Sequence, residues 1–336
     1  MGLKECPTVV ARALLVAPDA FKGTLSAPQV AAAIGRGVQS AGDSPPDLCP
    51  VADGGEGTGE VLRGSLAGHS VEVEVSDPLG RTVAAAFELS GDGRVAVVEV
   101  AQASGLWRLA EHERDAEAAS SRGTGELIAA ALHAGAHTVL VAAGGSATTD
   151  GGAGAVEALE QAGGIGDATV VVLCDVRTAF EHAAAVFAPQ KGADAQAVAR
   201  LTRRLHEQAA RMACDPRGRP LTGAAGGLSG GLWAAYGARL ERGASFVLDA
   251  LDFDRRLRRA RAVVVGEGRL DASTLEGKVA AEISTRARQT GVPAHAVVGS
   301  NAMTRFDARI LDLQAIIEAG DEAALERAGA RLAEIA

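Results

Sequence analysis

The sequence predicts an α/β protein in which a five-stranded, doubly wound parallel-sheet domain is interrupted by a second, inserted α/β domain with a mixed sheet. Two observations favour this class. The composition is 47% hydrophobic but only 3% aromatic, with 42 glycines, which is typical of parallel sheets covered by helices. The chain of 336 residues is also long for a single hydrophobic core, so we expect two domains.

The first part of the chain contains two consecutive strand–loop–helix units. In "RALLVAPDAFKGTLSAPQVAAAIGRGV" an apolar strand leads into a polar loop, and Ser26 with Gln29 predicts a capping box at the start of the following helix. In "DLCPVADGGEGTGEVLRGSLAG" a short strand ending at Asp53 precedes a glycine-rich turn and a helix. Two such units in succession predict neighbouring parallel strands.

The pattern changes near residue 68. The segment "SVEVEVSDPLGRTVAAAFELSGDGRVAVVEV" alternates with period two, and its turn sequences "DPLG" and "SGDG" predict antiparallel strands. It is followed by a predicted helix in "GTGELIAAALHAG", a strand in "HTVLVAA", a helix from Gly152, a strand in "ATVVVLCDV" and a long helix at about 193–213. We therefore expect a mixed sheet in this part of the chain.

The parallel pattern returns from about residue 255. In "RAVVVGEGRLDASTLEGKV" a strand and a polar loop precede a helix, where Ser273 and Glu276 predict a capping box that places Lys278 one turn inside the helix. Strands near residues 13, 48, 262, 294 and 314 make five outside the middle segment. The predicted division is a discontinuous domain of residues 1–67 and 255–336 and an inserted domain of residues 68–254.

Charge and composition exclude several function classes. The formal net charge is −9 and the 33 Lys and Arg residues are scattered along the chain, so we expect no nucleic-acid partner. No apolar stretch is long enough to span a membrane, and the four cysteines lack the spacing of a metal site. We expect a cytoplasmic protein without a membrane partner; a homo-oligomer stays open.

Five predicted loops combine glycine with charged or hydroxyl-bearing side chains: "PDAFKGT", "ADGGEGT", "AAGGSATTDGG", "APQKGAD" and "GEGRLDAST". Backbone N–H groups and lysines suit phosphate or carboxylate, whereas carboxylates hold Mg²⁺ or accept a proton. This combination is what phosphoryl transfer requires. The candidate catalytic residues are Lys22, Asp53, Asp150, Lys191 and Asp271. The candidates for binding substrate or phosphate are Asp19, Glu56, Gly145, Ser146, Thr148, Arg269 and Lys278.

Several roles stay open at this level. Asp53, Asp150 and Asp271 are candidates for the general base or for Mg²⁺ ligands, and each is equally suited to cap its following helix. Arg269 is placed either to clamp a substrate carboxylate or to brace its loop through Asp271. The chain contains neither G-x-x-x-x-G-K-[ST] nor G-x-G-x-x-G, which disfavours a Walker-type loop and a nicotinamide cofactor.

The motifs together carry a family resemblance. "PDAFKGTLSAPQVAAAIGRGV", "PVADGGEGT", "DPLGR", "SSRGTGELI", "GGSATTDGGAGA", "APQKGA", "GAAGGLSGGL" and "GEGRLDASTLEGKV" follow one another in an order that resembles the bacterial glycerate kinase family. The resemblance implies ATP-dependent phosphorylation of D-glycerate to 2- or 3-phosphoglycerate with Mg²⁺. It also implies a flavodoxin-like domain interrupted by a second domain, with the loop at 144–154 lining the active-site cleft.

One segment departs from the family pattern. The chain crosses directly from the helix after "GGAGA" to the strand ending in "CDV", where the family has a longer connection, and "RTAFEHAA" follows. This departure motivates an alternative, a kinase of another small hydroxy acid. A second alternative, a non-catalytic protein that binds an anionic metabolite, is disfavoured because the loops carry many carboxylates, which repel an anion.

Overall fold

The computed structural model describes residues 12–174, 176–276 and 278–336, apart from the side chains of Ser273 and Glu276. The described chain divides into two compact units. The first unit contains the residues up to Pro50 together with Asp252–Leu275 and Ala280–Ala336. The second unit contains Val51–Leu251 and Glu276–Val279. No helix in the described part of the chain is both long enough and apolar enough to cross a bilayer.

Strands β1 to β11 of the described residues span, in order, Leu14–Pro18, Asp47–Leu48, His69–Ser76, Thr82–Leu89, Val95–Glu99, Thr138–Ala142, Thr169–Cys174, Arg239–Arg242, Ala262–Leu270, Ala294–Asn301 and Leu313–Glu318. Helices α1 to α13 of the same residues span, in order, Ala27–Ser40, Thr58–Ser65, Val100–Ser104, Arg122–His133, Ala153–Gln161, Ala183–Phe187, Ala195–Ala209, Leu228–Tyr236, Gly243–Ala250, Phe253–Leu257, Val279–Thr290, Arg305–Ile310 and Glu322–Ile335.

The first unit is built on an all-parallel sheet in the order β11-β10-β9-β1-β2. Numbered within the unit, this order is 2-1-3-4-5, the flavodoxin-like order, and it confirms the predicted five-stranded doubly wound fold. All five residues of β1 are buried, as expected for a central parallel strand that is covered on both faces. The strand order reverses between β1 and β9, so the loops after these two strands lie where such folds bind ligands.

The second unit is built on a six-stranded sheet in the order β3-β4-β5-β6-β7-β8. Strands β3, β4 and β5 pair antiparallel, whereas β5 to β8 pair parallel, which confirms the predicted mixed sheet. The edge strand β8, with sequence RLER, was not predicted because its charged, partly exposed residues give no apolar pattern. Strands β5, β6 and β7 of this sheet run parallel and end at the same edge of the sheet, where the loops that follow them meet.

The structure differs from the sequence-based picture at three places. Residues 51–67 belong to the second unit, because α2 packs on β4 and β5 of the mixed sheet. Strand β2 ends at Leu48, so Asp53 lies in an irregular loop rather than at a strand end. Lys278 precedes α11, which begins at Val279, because a 3₁₀-helix occupies Ala272–Glu276. The capping box predicted for Ser273 and Glu276 depends on side chains outside the described set.

Candidate active site

Two glycine-rich loops approach each other in the second unit. The loop 143–152 follows β6, and the loop 53–57 precedes α2. A Cβ atom added at Gly145 would lie 2.4 Å from Glu56 Oε1, and one added at Gly55 would lie 3.3 Å from the Gly144 Cα atom. A side chain at Gly55 would press against the backbone of Gly144, and the positive φ of +73° at Gly145 favours glycine whatever the space around it.

The segment after β5 also contacts the glycine-rich loop 143–152. Gly105 and Ser146 form an isolated antiparallel bridge. The Leu106 N–H donates to the Gly145 carbonyl oxygen at 2.9 Å, and the Ala147 N–H donates to the Ser104 carbonyl oxygen at 2.8 Å. The first half of the loop is thus fixed by its backbone.

A buried lysine lies beneath this loop. Lys191 is 3% exposed, and its Nζ donates to Ser146 Oγ at 2.9 Å and to the Thr148 carbonyl oxygen at 2.6 Å. These two contacts join residues of two separate sequence motifs, "APQKGAD" and "GGSATTDGG". Burying an ammonium group is costly unless oxygen atoms surround it. The structure therefore places a desolvated positive charge directly against the glycine-rich loop.

The two threonines of the loop carry buried hydroxyl groups. Thr148 and Thr149 are both 0% exposed, and within the described residues neither Oγ1 atom has a hydrogen-bond partner. Buried hydroxyls are nearly always hydrogen-bonded in folded proteins, so each of these needs an explanation. A ligand oxygen or an ordered water next to the loop would satisfy them. Together with Lys191 they give the loop several donors suited to an anion.

Asp150 holds the end of the loop. Its carboxylate accepts hydrogen bonds from Ser121 N at 2.8 Å, Ser121 Oγ at 2.8 Å, Gly152 N at 3.1 Å and Gly154 N at 3.2 Å. Two of these donors open α5, so the carboxylate serves the capping role that the sequence left open. The other two tie the loop to Ser121 at the start of α4. This network positions the loop.

Asp53 and Glu56 occupy the loop that faces Gly145. Asp53 is 7% exposed, and its Oδ1 accepts a hydrogen bond from the Gly55 N–H at 3.0 Å. Gly54 adopts a φ of +95°, and a Cβ added there would lie 2.7 Å from the Gly243 Cα atom. The carboxylate of Asp53 is therefore carried on a backbone held tightly against the beginning of α9. Such a rigid mounting suits a group that must be placed accurately.

Sequence reasoning missed Glu99, which supports this second loop. The side chain is 9% exposed at the end of β5, and it accepts hydrogen bonds from Gly57 N at 3.1 Å and Gly59 N at 2.8 Å. Burial raises the pKa of Glu99, although these two hydrogen bonds oppose the shift. A single glutamate inside an apolar strand, "VAVVEV", was the signal that could have identified it, because a buried carboxylate needs partners.

The first unit contributes a separate group of predicted residues at the carboxyl ends of β1 and β9. Asp19 is 7% exposed, and its Oδ1 accepts from the Ala20 N–H at 2.7 Å. Lys22 is exposed in the same loop. After β9, Arg269 Nε lies 3.2 Å from Asp271 Oδ2, the bracing pair that the sequence left open. The Asp19 N–H donates to the Gly266 carbonyl oxygen at 2.9 Å, which ties the start of the loop after β1 to the middle of β9.

The predicted residues therefore fall into two groups. The second unit brings together Asp53, Glu56, Gly145, Ser146, Thr148, Asp150 and Lys191. The first unit brings together Asp19, Lys22, Arg269 and Asp271. Lys278 is half-buried just before α11. A cavity of about 590 Å³ between α5, α7 and α8 is lined by Asp150 among the predicted residues, and otherwise by unrelated side chains.

A metal site formed by protein groups alone is not present in the described residues, where no three Asp, Glu, His or Cys side chains cluster suitably. The four hydrogen bonds accepted by Asp150 further reduce its capacity to hold a cation. Mg²⁺ commonly binds proteins through one or two carboxylates and completes its shell with phosphate oxygens and water. The carboxylates of the site fit a Mg²⁺ ion held in this way, by one or two of them together with phosphate oxygens and water.

The chain matches a family model described as the glycerate kinase family, over residues 14–163 and 161–335. The two matched segments meet where the sequence has the short connection between α5 and β7. Together they cover nearly the whole described chain.

Individual relatives agree with this match. A glycerate kinase of Bacillus subtilis (strain 168) is 39% identical over 324 residues, covering 85% of each chain. A glycerate 2-kinase of Escherichia coli (strain K12) is 35% identical over 323 residues, again covering 85% of each chain. A crystal structure of a protein provisionally described as glycerate kinase 2 of Salmonella typhimurium LT2 superimposes with a TM-score of 0.82 at 34% identity, covering 96% of this chain and 98% of that one.

Proposed function

The chain belongs to the glycerate kinase family, and on that premise we propose that it transfers the γ-phosphate of ATP to D-glycerate, giving 2- or 3-phosphoglycerate. Use of ATP follows from membership of a kinase family. The group that accepts the phosphate is an alcohol hydroxyl of a small acid that carries one carboxylate. The site must therefore bind two anions, the triphosphate and the carboxylate, while a proton leaves the acceptor hydroxyl. Its need for ATP supports a cytoplasmic reaction.

The observation that carries the proposal is the buried Lys191 with its loop. Its Nζ is held 2.9 Å from Ser146 Oγ and 2.6 Å from the Thr148 carbonyl oxygen. A cation at 3% exposure acts in a low-dielectric setting, where it stabilises developing negative charge far more than an exposed lysine does. We assign Lys191, Gly145, Ser146 and Thr148 to binding an anionic group of the reactants.

The carboxylates receive different roles. Asp53 is the candidate base in the second unit, since it is buried on a rigid loop. Asp150 positions the glycine-rich loop through its four hydrogen bonds. Glu56 lies against Gly145 and is a candidate for binding substrate.

In the first unit, Asp271 is a candidate for holding the metal, and Asp19, Lys22 and Arg269 are candidates for binding substrate or phosphate. Lys278, which belongs to the second unit, is a further candidate for binding phosphate or carboxylate. Mg²⁺ would be held by Asp53 or Asp271 together with the phosphates of ATP, where it neutralises phosphate charge. Asp150 stays a candidate ligand only if its hydrogen bonds are released.

A second candidate is a kinase of another small hydroxy acid. It is favoured by one observation, the direct connection from α5 to β7 through residues 162–168, at the junction of the two family-matched segments. This connection enters β7 at its amino end, at the sheet edge opposite the loops that follow β5, β6 and β7, so it would act on the choice of acid through the position of β7 and not by contact with the acid.

The test is ADP release by the purified protein with ATP and Mg²⁺, using D-glycerate, L-glycerate, lactate and glycolate as acceptors. We expect D-glycerate to give the highest kcat/KM, and chelation of Mg²⁺ to abolish turnover. Lys191→Met should lower kcat/KM by about 100- to 1000-fold, the usual cost of removing one charge-stabilising donor. The matched control is Arg203→Met on the exposed face of α7, which should retain activity. Preference for another acid would favour the second candidate, and no acceptor-dependent release would overturn both.

A further inference from the structure

An exposed tryptophan stands next to the glycine-rich loop. Trp107 is 59% exposed and lies in a 3₁₀-helix, Leu106–Arg108, of the second unit. The residue before it donates its N–H to the Gly145 carbonyl oxygen at 2.9 Å, and Gly105 pairs with Ser146, the residue whose hydroxyl contacts Lys191. Trp107 thus directly follows Leu106, and the backbones of Gly105 and Leu106 contact Ser146 and Gly145 of the loop assigned to anion binding.

The ring is held in one orientation. Trp107 Nε1 donates to the Ala101 carbonyl oxygen at 2.9 Å. The Arg108 guanidinium carbon lies 4.6 Å from the ring centroid, and Arg108 is itself fixed by donating to the Gln102 and Ala84 carbonyl oxygens at 2.5 and 2.7 Å. An exposed side chain is ordinarily free to change rotamer. Here the hydrogen bond of Nε1 fixes one edge of the indole and Arg108 covers one face, while more than half of the side chain stays exposed to solvent.

We propose that Trp107 is the stacking platform for the adenine base of ATP. A flat, preordered aromatic surface suits a heteroaromatic base, and stacking on such surfaces contributes substantially to nucleotide affinity. D-glycerate has no aromatic group and gains little from an indole face, so the nucleotide is the reactant that this surface fits. The inference rests on the proposed function, because it requires ATP to bind beside the loop 144–149.

The same placement assigns a direction to the nucleotide. With the base on Trp107, the triphosphate extends toward Ser146, Thr148 and Lys191, whose donors are suited to phosphate. The acceptor acid then occupies the far side of the γ-phosphate. Trp107 thereby acts on the affinity for ATP and has no part in the chemical step.

Fluorescence tests the assignment directly because the chain has only two tryptophans. Trp233 lies in α8 beside Arg219 and is the natural control. In Trp233→Phe protein, in which Trp107 is the only tryptophan, ATP should quench the tryptophan emission, whereas inorganic tripolyphosphate, which carries similar charge and no base, should not. Equal quenching by tripolyphosphate, or quenching by D-glycerate alone, would overturn the proposal.

Kinetics supply the second arm. Trp107→Ala should raise the KM for ATP by about 5- to 30-fold, the range expected for loss of one partly exposed base stack, with kcat and the KM for D-glycerate changed less than about twofold. Trp107→Phe keeps an aromatic face and should restore most of the ATP affinity. An unchanged KM for ATP in the alanine variant would refute the role. Failure of the wild-type protein to release ADP with any acid would instead refute the proposed function, whatever the fluorescence shows.

Discussion

Replacing Asp150 with alanine should destabilise the second unit by about 2–4 kcal/mol. The carboxylate accepts four hydrogen bonds, at 2.8 Å from Ser121 N, 2.8 Å from Ser121 Oγ, 3.1 Å from Gly152 N and 3.2 Å from Gly154 N. Ser121 is 0% exposed, so water cannot readily replace the lost acceptor for its two donors. Each buried donor left without a partner costs about 1–3 kcal/mol, and losses within one network add incompletely.

The matched control is Asp194→Ala. Asp194 caps α7 through a single hydrogen bond to the Ala197 N–H at 2.7 Å, and it is exposed. Loss of such a cap costs about 1 kcal/mol. For a unit of this size about 1 kcal/mol shifts the melting temperature by about 2–4 °C, so Asp150→Ala should melt about 5–15 °C lower than the wild type and Asp194→Ala about 2–4 °C lower.

Thermal and urea unfolding of the two variants, followed side by side, measure the difference. If Asp150→Ala were as stable as Asp194→Ala while losing activity completely, the carboxylate would act on the reactants or the metal, and its assignment as a positioning group would be refuted.

Two further predictions concern the same loops. Glu99→Gln should flatten the pH dependence of stability: because the folded-state pKa of Glu99 is raised, its stabilising contribution is complete below the ordinary carboxyl pKa of about 4.3 and is lost as pH rises through the folded value. Urea midpoints measured from about pH 4 to 7 should therefore fall more in wild type than in Glu99→Gln, and an exposed Glu72→Gln control should follow wild type. Gly226→Ala should cost more stability than Gly218→Ala: both glycines have positive φ, +66° and +72°, but only the former would bring a Cβ within 1.9 Å of the Thr148 carbonyl oxygen. Equal losses in the two glycine variants would show that backbone strain, and not this contact, is what Gly226 relieves.

The sequence predicted most of the architecture because its signals are local. Continuous apolar runs such as LLVAP identified the buried parallel strands, and period-two alternation with DPLG and SGDG turns identified β3 to β5. It placed the start of α11 too early, because the order of strand, polar loop and helix does not reveal that the first turn after β9 is a 3₁₀-helix. The edge strand β8 lacked any periodic pattern.

The sequence identified which residues belong to the site, but it did not show which of them contact one another. Loop composition identified Lys191 and Ser146 separately, but no local pattern shows that a lysine near residue 190 reaches a serine 45 positions earlier. The same limit applies to Glu99, whose partners are the backbone N–H groups of Gly57 and Gly59. Such contacts depend on how strands are ordered in the sheet, which neighbouring residues along the chain do not encode.

The most direct test of the central claim is phosphorus NMR of the reaction with ATP, Mg²⁺ and D-glycerate, run in parallel for wild type and Lys191→Met. The account predicts a phosphoglycerate resonance, assignable to the 2- or 3-isomer, that appears with wild type and is reduced by about 100-fold or more with the variant. Inorganic phosphate as the sole product, or equal product formation by both proteins, would contradict it.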